Sequence, residues 1–180
     1  MSDPVATARV RDRVVLRPRT DADLPALAEA LAGQQPSSRY PFRWPLPFPV
    51  EQFLVRPNEQ VAWVAELDGL PVGHVMVGRV TGAEAALFAA TTGRPTEELA
   101  IVSVLFVALE LQGTGVGGLL LDTAVAWIRE HDRLPVLDVI QSHGTAVQVY
   151  RHRGWTVVGE MTPPWMPDHE EPMLLMALPG

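Results

Sequence analysis

The chain has 180 residues, 47% of them hydrophobic and 19% charged, a balance that suits one folded domain over residues 1–180 and excludes a disordered chain. It has no cysteine, which excludes a disulfide framework, a thiolate nucleophile and a zinc-thiolate site. Its net charge is −7 and its basic residues are all arginine; without a basic face no nucleic-acid partner is expected, and the acidic surface suits a cationic substrate such as an amine.

Residues 1–11 are polar and broken by Asp3, Arg9 and Arg11, so no leader segment is expected. The longest apolar run, 100–109, is interrupted by Ser103 and stopped by Glu110, too short to span a bilayer. No membrane partner and a cytoplasmic location are the expectations. Residues 14–16 read as a short strand. Thr20 then stands as an N-cap with Asp21 and Asp23 in the first turn. Leu24, Leu27, Ala28 and Leu31 follow at helical spacing, and Gly33 predicts the stop.

Residues 34–59 change character. Tyr40-Pro41-Phe42-Arg43-Trp44-Pro45 opens a stretch rich in proline and aromatics, with Phe48 and Phe53 beyond, which predicts an irregular segment with a short helix near 50–55. Residues 60–67 alternate as a strand, with Trp63, Ala65 and Leu67 on one face. Asp68-Gly69 signals a hairpin, and 72–80 return as its partner. Residues 81–96 show little pattern and predict a loop with at most one helical turn.

The run 101–107 is nearly continuous in apolar residues, as for a central strand buried on both faces. A glycine-rich stretch, Gly113 to Gly118, leads into an amphipathic helix carrying Val116, Leu119, Leu120, Ala124, Trp127 and Ile128. Residues 135–140 form a second buried strand, 145–153 a short helix ended by Gly154, and 155–160 and 172–178 the last strands. Antiparallel hairpins thus precede a parallel β-α-β unit, which predicts a mixed-sheet α/β fold.

Glycines between a buried strand and a helix let a ligand touch backbone, and successive N–H groups at a helix start bind anions. The chemistry implied is pyrophosphate binding. A P-loop needs a lysine, and the chain has none. A dinucleotide loop is literally present as Gly113, Gly115 and Gly118, with Asp138 downstream where an NAD(P)-dependent oxidoreductase would need an acid. Asp138, however, falls inside an apolar run, and too little chain follows it for a doubly wound sheet. The spacing Gln112-Gly113-x-Gly115-x-Gly117 fits a third class, the Q/R-x-x-G-x-G/A signature.

At this point the chain resembles the GNAT superfamily of acyl-CoA N-acyltransferases. Val107 stands where that family has the last strand residue before the loop, and Leu119-Leu120 continue the helix in its manner. Residues 146–155, with Ala146, Tyr150, Gly154 and Trp155, look like the family's A-x-x-x-Y-x-x-x-G-F segment, with Trp155 in place of Phe. Leu16-Arg17-Pro18 and Asp21-x-Asp23-Leu24 are similar to its opening strand and helix. His143 departs from the pattern, standing where the family often has an Asn that touches the cofactor arm.

The resemblance implies a mostly antiparallel sheet in which a central parallel pair, 101–107 and 135–140, splays around acetyl-CoA, with helices on both faces. By the same resemblance Phe106 and Val107 bond the pantetheine and polarise the thioester carbonyl. Gln112, Gly113, Thr114, Gly115, Val116 and Gly117 hold the pyrophosphate, His143 borders the arm, and Tyr150 protonates the leaving thiolate. The general base stays open between Glu98, His74 and a water chain. The acceptor, an amine of a small molecule or peptide, would meet Tyr40, Phe42, Trp44 and Trp165, residues that equally suit a homodimer surface. A noncatalytic acyl-CoA-binding module of the same fold is the alternative. The remaining histidines, His131, His152 and His169, lack metal-ligand spacing, so no metal site is expected.

Overall fold

A computed structural model describes residues 4–143 and 145–180. Helix α1 (Pro4–Arg13) leads directly into β1 (Val14–Pro18), followed by α2 (Leu24–Ser38), α3 (Val50–Leu54), β2 (Glu59–Leu67) and β3 (Leu70–Gly78). Next come α4 (Ala83–Thr92), β4 (Leu99–Val107), α5 (Val116–Glu130), β5 (Leu134–Val139), α6 (Thr145–His152), β6 (Thr156–Met161) and β7 (Met173–Ala177). Among the described residues seven strands make one sheet in the order β1-β2-β3-β4-β5-β7-β6. Every neighbouring pair is antiparallel except β4 and β5. A sheet with a single parallel pair is not the doubly wound sheet that the dinucleotide alternative requires.

The start of α2 follows from local chemistry. Thr20 and Asp23 form a reciprocal capping box, in which the Thr20 amide donates to Asp23 Oδ2 at 2.7 Å. Arg17 grips the same carboxylate at 2.7 and 2.8 Å, and that arginine holds the Asp23 carboxyl down to about 2. Leu27 and Leu31, one turn apart, face the sheet and are fully buried. The predicted stop at Gly33 is corrected: α2 runs on to Ser38, and Arg39 takes the left-handed cap position at φ 60°. Buried Gln34 secures the extra turn by donating to Leu31 O at 3.0 Å and to Tyr40 O at 2.5 Å.

Two elements escaped the sequence patterns. Helix α1 occupies a polar stretch, and α4 fills most of the predicted 81–96 loop. Five of the ten residues of α4 are alanine, so intrinsic propensity forms it between Gly82 and Gly93 without an apolar stripe. Phe88 alone anchors it fully, against Leu99, Ile101, Val136 and Leu175.

The sheet separates the molecule into two sides. Helices α5 and α6 bury Val116, Leu120, Ala124, Ile128 and Val147 against Ala100, Val102, Leu137 and Val139. On the opposite side α2 and α3 cover Val104 and Phe106 with Leu27, Leu31, Phe53 and Leu54, while α4 covers the neighbouring patch. At Gly73 a side chain would meet Leu120 Cδ1 at 3.0 Å, so glycine permits α5 to press onto the sheet.

Candidate active site

The site grows from the way β4 and β5 part. They share three register pairs, Leu99 with Leu134, Ala100 with Pro135 and Ile101 with Val136. Beyond these, β4 continues beside β3 up to Val107, and β5 continues beside β7 up to Val139. Each strand is satisfied on its outer edge, so the inner edges of residues 102–107 and 137–139 open a groove across the sheet.

Strand β4 carries a bulge at the mouth of this groove. Opposite β3, Phe106 pairs with His74 and Ser103 with Met76, leaving one extra residue on β4. Val104 there has φ 52°, the left-handed region, which costs a β-branched residue roughly 1–2 kcal/mol. Burial of its side chain returns about 1.5–3 kcal/mol, enough to hold the strain. The bulge breaks the alternation of the strand. Ala100 and Val102 face α5, whereas Val104 and Phe106 face α2 and α3.

Sequence expectation and geometry meet at the loop after β4. The Ala108 amide closes onto Val72 O at 2.7 Å, and a single turn over Leu109–Leu111 leads to Gln112. Gly113 and Gly115 have φ 78° and 87°, conformations that glycine adopts without strain. Thr114 Oγ1 folds back onto Leu111 O at 2.6 Å, and Gln112 Oε1 accepts from Ser37 Oγ at 3.3 Å. Helix α5 then starts at Val116 with no side chain capping it, so its first amides face outward. Arg11 from α1 lies over this turn, its Nη1 3.8 Å from where a Cβ on Gly115 would be. Arg153 lies over Gly118 and pairs with Asp122 at 2.7 Å.

Tyr150 stands in the last turn of α6, half-buried, its ring edge-on to Trp155 at 5.9 Å. Burial first, then Tyr40 and Asp138, push its phenol well above the usual range, so it holds its proton at neutral pH. Tyr40 is likewise raised by burial to about 12, and its hydroxyl takes a hydrogen bond from the Val104 backbone. Tyr40, Asp138 and Tyr150 thus converge on the groove from the 39–49 segment, β5 and α6. The side chain of His143 lies outside the described residues.

Neither of the two side chains considered as base fits that role. Glu98 precedes β4 at the end remote from the groove, roughly 15–20 Å along the strand from the bulge. It is exposed, with Arg94 Nη1 at 3.9 Å. His74 is fully buried and both ring nitrogens are engaged, Nδ1 with Val104 O at 2.7 Å and Nε2 with Arg19 Nη1 at 3.0 Å. Burial holds its pKa down to about 4, so it is neutral.

A carboxyl pair that the sequence patterns did not reveal stands at the groove instead. Asp138 of β5 and Glu84 of α4 share a hydrogen bond. Burial raises both, Glu84 to about 8, with the Asp138 charge adding to the Glu84 shift. Glu84 therefore keeps its proton at neutral pH, and the two carboxyls titrate as one coupled pair. Arg56 lies close enough to act on Tyr40, His74, Glu84 and Asp138 alike. The signal in the sequence was an aspartate inside the apolar run 135–140; its partner sat in the unpatterned stretch. Beside the groove, Phe42 meets Trp165 at 6.2 Å and Arg43 lies over the same indole at 5.9 Å. Among the described residues no three acidic or histidine side chains converge as metal ligands.

The family model described as acetyltransferase (GNAT) family matches residues 25–155. The chain is similar to the ribosomal-protein-S18-alanine N-acetyltransferase from Escherichia coli at 15% identity, TM-score 0.65, with 92% of this chain and 93% of that one covered. It is similar to a GCN5-related N-acetyltransferase from Kribbella flavida at 20% identity, TM-score 0.66, covering 93% and 97%. It is also similar to NAA60 from Arabidopsis thaliana, solved with acetyl-CoA, at 18% identity, TM-score 0.67, covering 91% and 97%. At these identities the structural likeness is one of fold. No curated protein sequence matches the chain significantly.

Proposed function

Because the chain belongs to the acetyltransferase (GNAT) family, we propose that it moves the acetyl group of acetyl-CoA onto a primary amine of a small molecule or peptide, by direct attack in a ternary complex. The observation that carries this reading is the groove itself: a bulged strand parting from its parallel neighbour, with an uncapped glycine turn at one end. A relative in this fold class holds acetyl-CoA. The cytoplasmic location belongs to the same reading.

In this reading the amides of Gly113, Gly115, Val116 and Gly117 receive the pyrophosphate, with Gln112 and Thr114 shaping the turn and Arg11 and Arg153 adding positive charge. The pantetheine lies along the open edge of β4, where the Phe106 and Val107 backbone faces the thioester carbonyl. The acceptor approaches from the α2 and α4 side as an ammonium ion and seats against the Glu84–Asp138 pair. A proton passes from nitrogen to the carboxylate, and the freed nitrogen pair attacks the carbonyl carbon. The tetrahedral intermediate expels the CoA sulfur, which takes a proton from Tyr150, and the second proton of the nitrogen passes through water to the tyrosinate, leaving a neutral amide and a protonated Tyr150. Positioning supplies much of the rate, so the carboxyl pair needs only moderate basicity.

The test is calorimetric titration with acetyl-CoA, with NADH in parallel, followed by an amine screen read through thiol release. The chain has no cysteine, so the protein itself contributes no thiol signal. Saturable binding of acetyl-CoA alone, with turnover of an amine, supports the reading; no binding of acetyl-CoA overturns it. Replacing Tyr150 by Phe is expected to lower kcat about 100-fold while leaving the acetyl-CoA affinity in place. Binding without turnover of any amine by either form assigns a binding module instead.

A further inference from the structure

Resting on the reading above, the geometry points to His74 and Tyr40 as positioning residues that hold the Val104 backbone at its carbonyl and at its amide, and so keep the β4 bulge shaped to present the Phe106 and Val107 backbone to the thioester carbonyl. A bulge leaves a residue outside the strand ladder, and its buried N–H and C=O must find other partners. Here side chains supply both. The Val104 carbonyl accepts from His74 Nδ1 at 2.7 Å, and the Val104 backbone bonds the Tyr40 hydroxyl.

The histidine is fixed from behind. Its ring stacks on Phe106 at 5.7 Å and 25°. Its Nε2 lies 3.0 Å from Arg19, whose guanidinium also donates to Leu54 O at 3.0 Å and to Glu59 Oε1 at 2.6 Å. Arginine only donates, so Nε2 accepts and Nδ1 carries the proton that reaches Val104 O. Glu59, Arg19, His74 and Val104 therefore form a chain of contacts from β2 to β4 that sets the tautomer. Tyr40 is anchored independently, with its ring edge-on to Phe53 at 5.8 Å and its own carbonyl held by Gln34. Phe106 lies just past the bulge, so a reoriented Val104 peptide would turn its backbone, and that of Val107, away from the groove.

The test uses the full chain with acetyl-CoA labelled with carbon-13 at the thioester carbonyl, read by infrared difference spectroscopy beside kcat and KM. In the unaltered chain the bound carbonyl stretch is expected to shift to lower frequency. In His74→Leu that shift is lost and kcat falls roughly 10- to 100-fold, while KM for acetyl-CoA changes little because the glycine turn still holds the pyrophosphate. His74→Gln, whose amide both donates and accepts, restores most of the shift and the rate. Tyr40→Phe loses less, and the double variant falls no further than His74→Leu, because both side chains act through the backbone of one residue. If His74→Leu does not fold, Tyr40→Phe decides: an unchanged stretch and kcat overturn the inference. An active chain in which both variants keep stretch and kcat overturns it alone. A chain that binds no acetyl-CoA overturns the acetyltransferase reading and this inference with it.

Discussion

Glu84 and Asp138 show how a site can rest on residues whose local context says little. Asp138 breaks an apolar strand, yet its meaning depends on a carboxyl from α4 that only the folded chain brings to it. The pair has a thermodynamic signature. Glu84 is raised from an ordinary 4.5 to about 8, so the folded chain binds its proton where the unfolded chain has released it. The contribution of this proton to stability is therefore complete at pH below about 4.5 and is lost as pH rises toward 8. Glu84→Gln is expected to flatten the dependence of the urea midpoint on pH over that window. In turnover, the same variant is expected to move the acid limb of the kcat/KM profile, because the remaining Asp138 titrates without its partner. Tyr150, by contrast, was singled out by the resemblance of residues 146–155 to a family segment, and its place in the last turn of α6 is a local feature.

At the scale of elements, local rules worked where one element's own residues set its ends. The Thr20 cap, the Asp68-Gly69 turn and the glycine turn before α5 all appear where the patterns place them. They failed where burial overrode propensity, as at Gly33, which the buried Gln34 carries into the helix. Nothing lies within 4 Å of a Cβ built on Gly33. Gly33→Ala is therefore expected to raise stability by about 0.5–1 kcal/mol, read as a higher Tm. Helix α1 shows the converse case. It precedes the span of the family match, yet it brings Arg11 over Gly115 at the expected anion turn. Arg11→Ala is expected to weaken acetyl-CoA binding about fivefold by calorimetry, with the difference shrinking at high salt.

On the scale of the whole molecule, the groove exists because four strands divide into two satisfied pairs, β3 with β4 and β5 with β7, after β4 and β5 part. The opening costs no hydrogen bonds on the outer edges, and it leaves the inner edges of β4 and β5 unpaired with each other beyond Ile101 and Val136. Binding of acetyl-CoA should therefore stabilise the fold as a unit. At a free concentration of 100 times Kd the gain is about 2.7 kcal/mol, a Tm rise of roughly 5–10 °C for a chain of this size. Differential scanning calorimetry with and without acetyl-CoA measures it, and an unshifted transition at that concentration contradicts the binding reading. No described helix is long and apolar enough to cross a membrane.

By itself the sequence determined the features that repeat along the chain or sit within a few residues of one another. Apolar periodicity marked the strands, the glycine spacing marked the turn before α5, and the Tyr150 segment marked the helix beside the groove. The tertiary structure alone decided what depends on residues distant in sequence. It placed the bulge at Val104, where two side chains from β3 and the 39–49 segment meet that residue's backbone. It withdrew His74 from solvent and set it against the bulge, and it left Glu98 at the far end of the strand. It also joined Glu84 to Asp138. Pattern reports the neighbours along the chain, whereas desolvation and hydrogen bonding are set by neighbours across it. For that reason the glycine turn was readable from residue types, and the carboxyl pair and the contacts that hold the bulge were not.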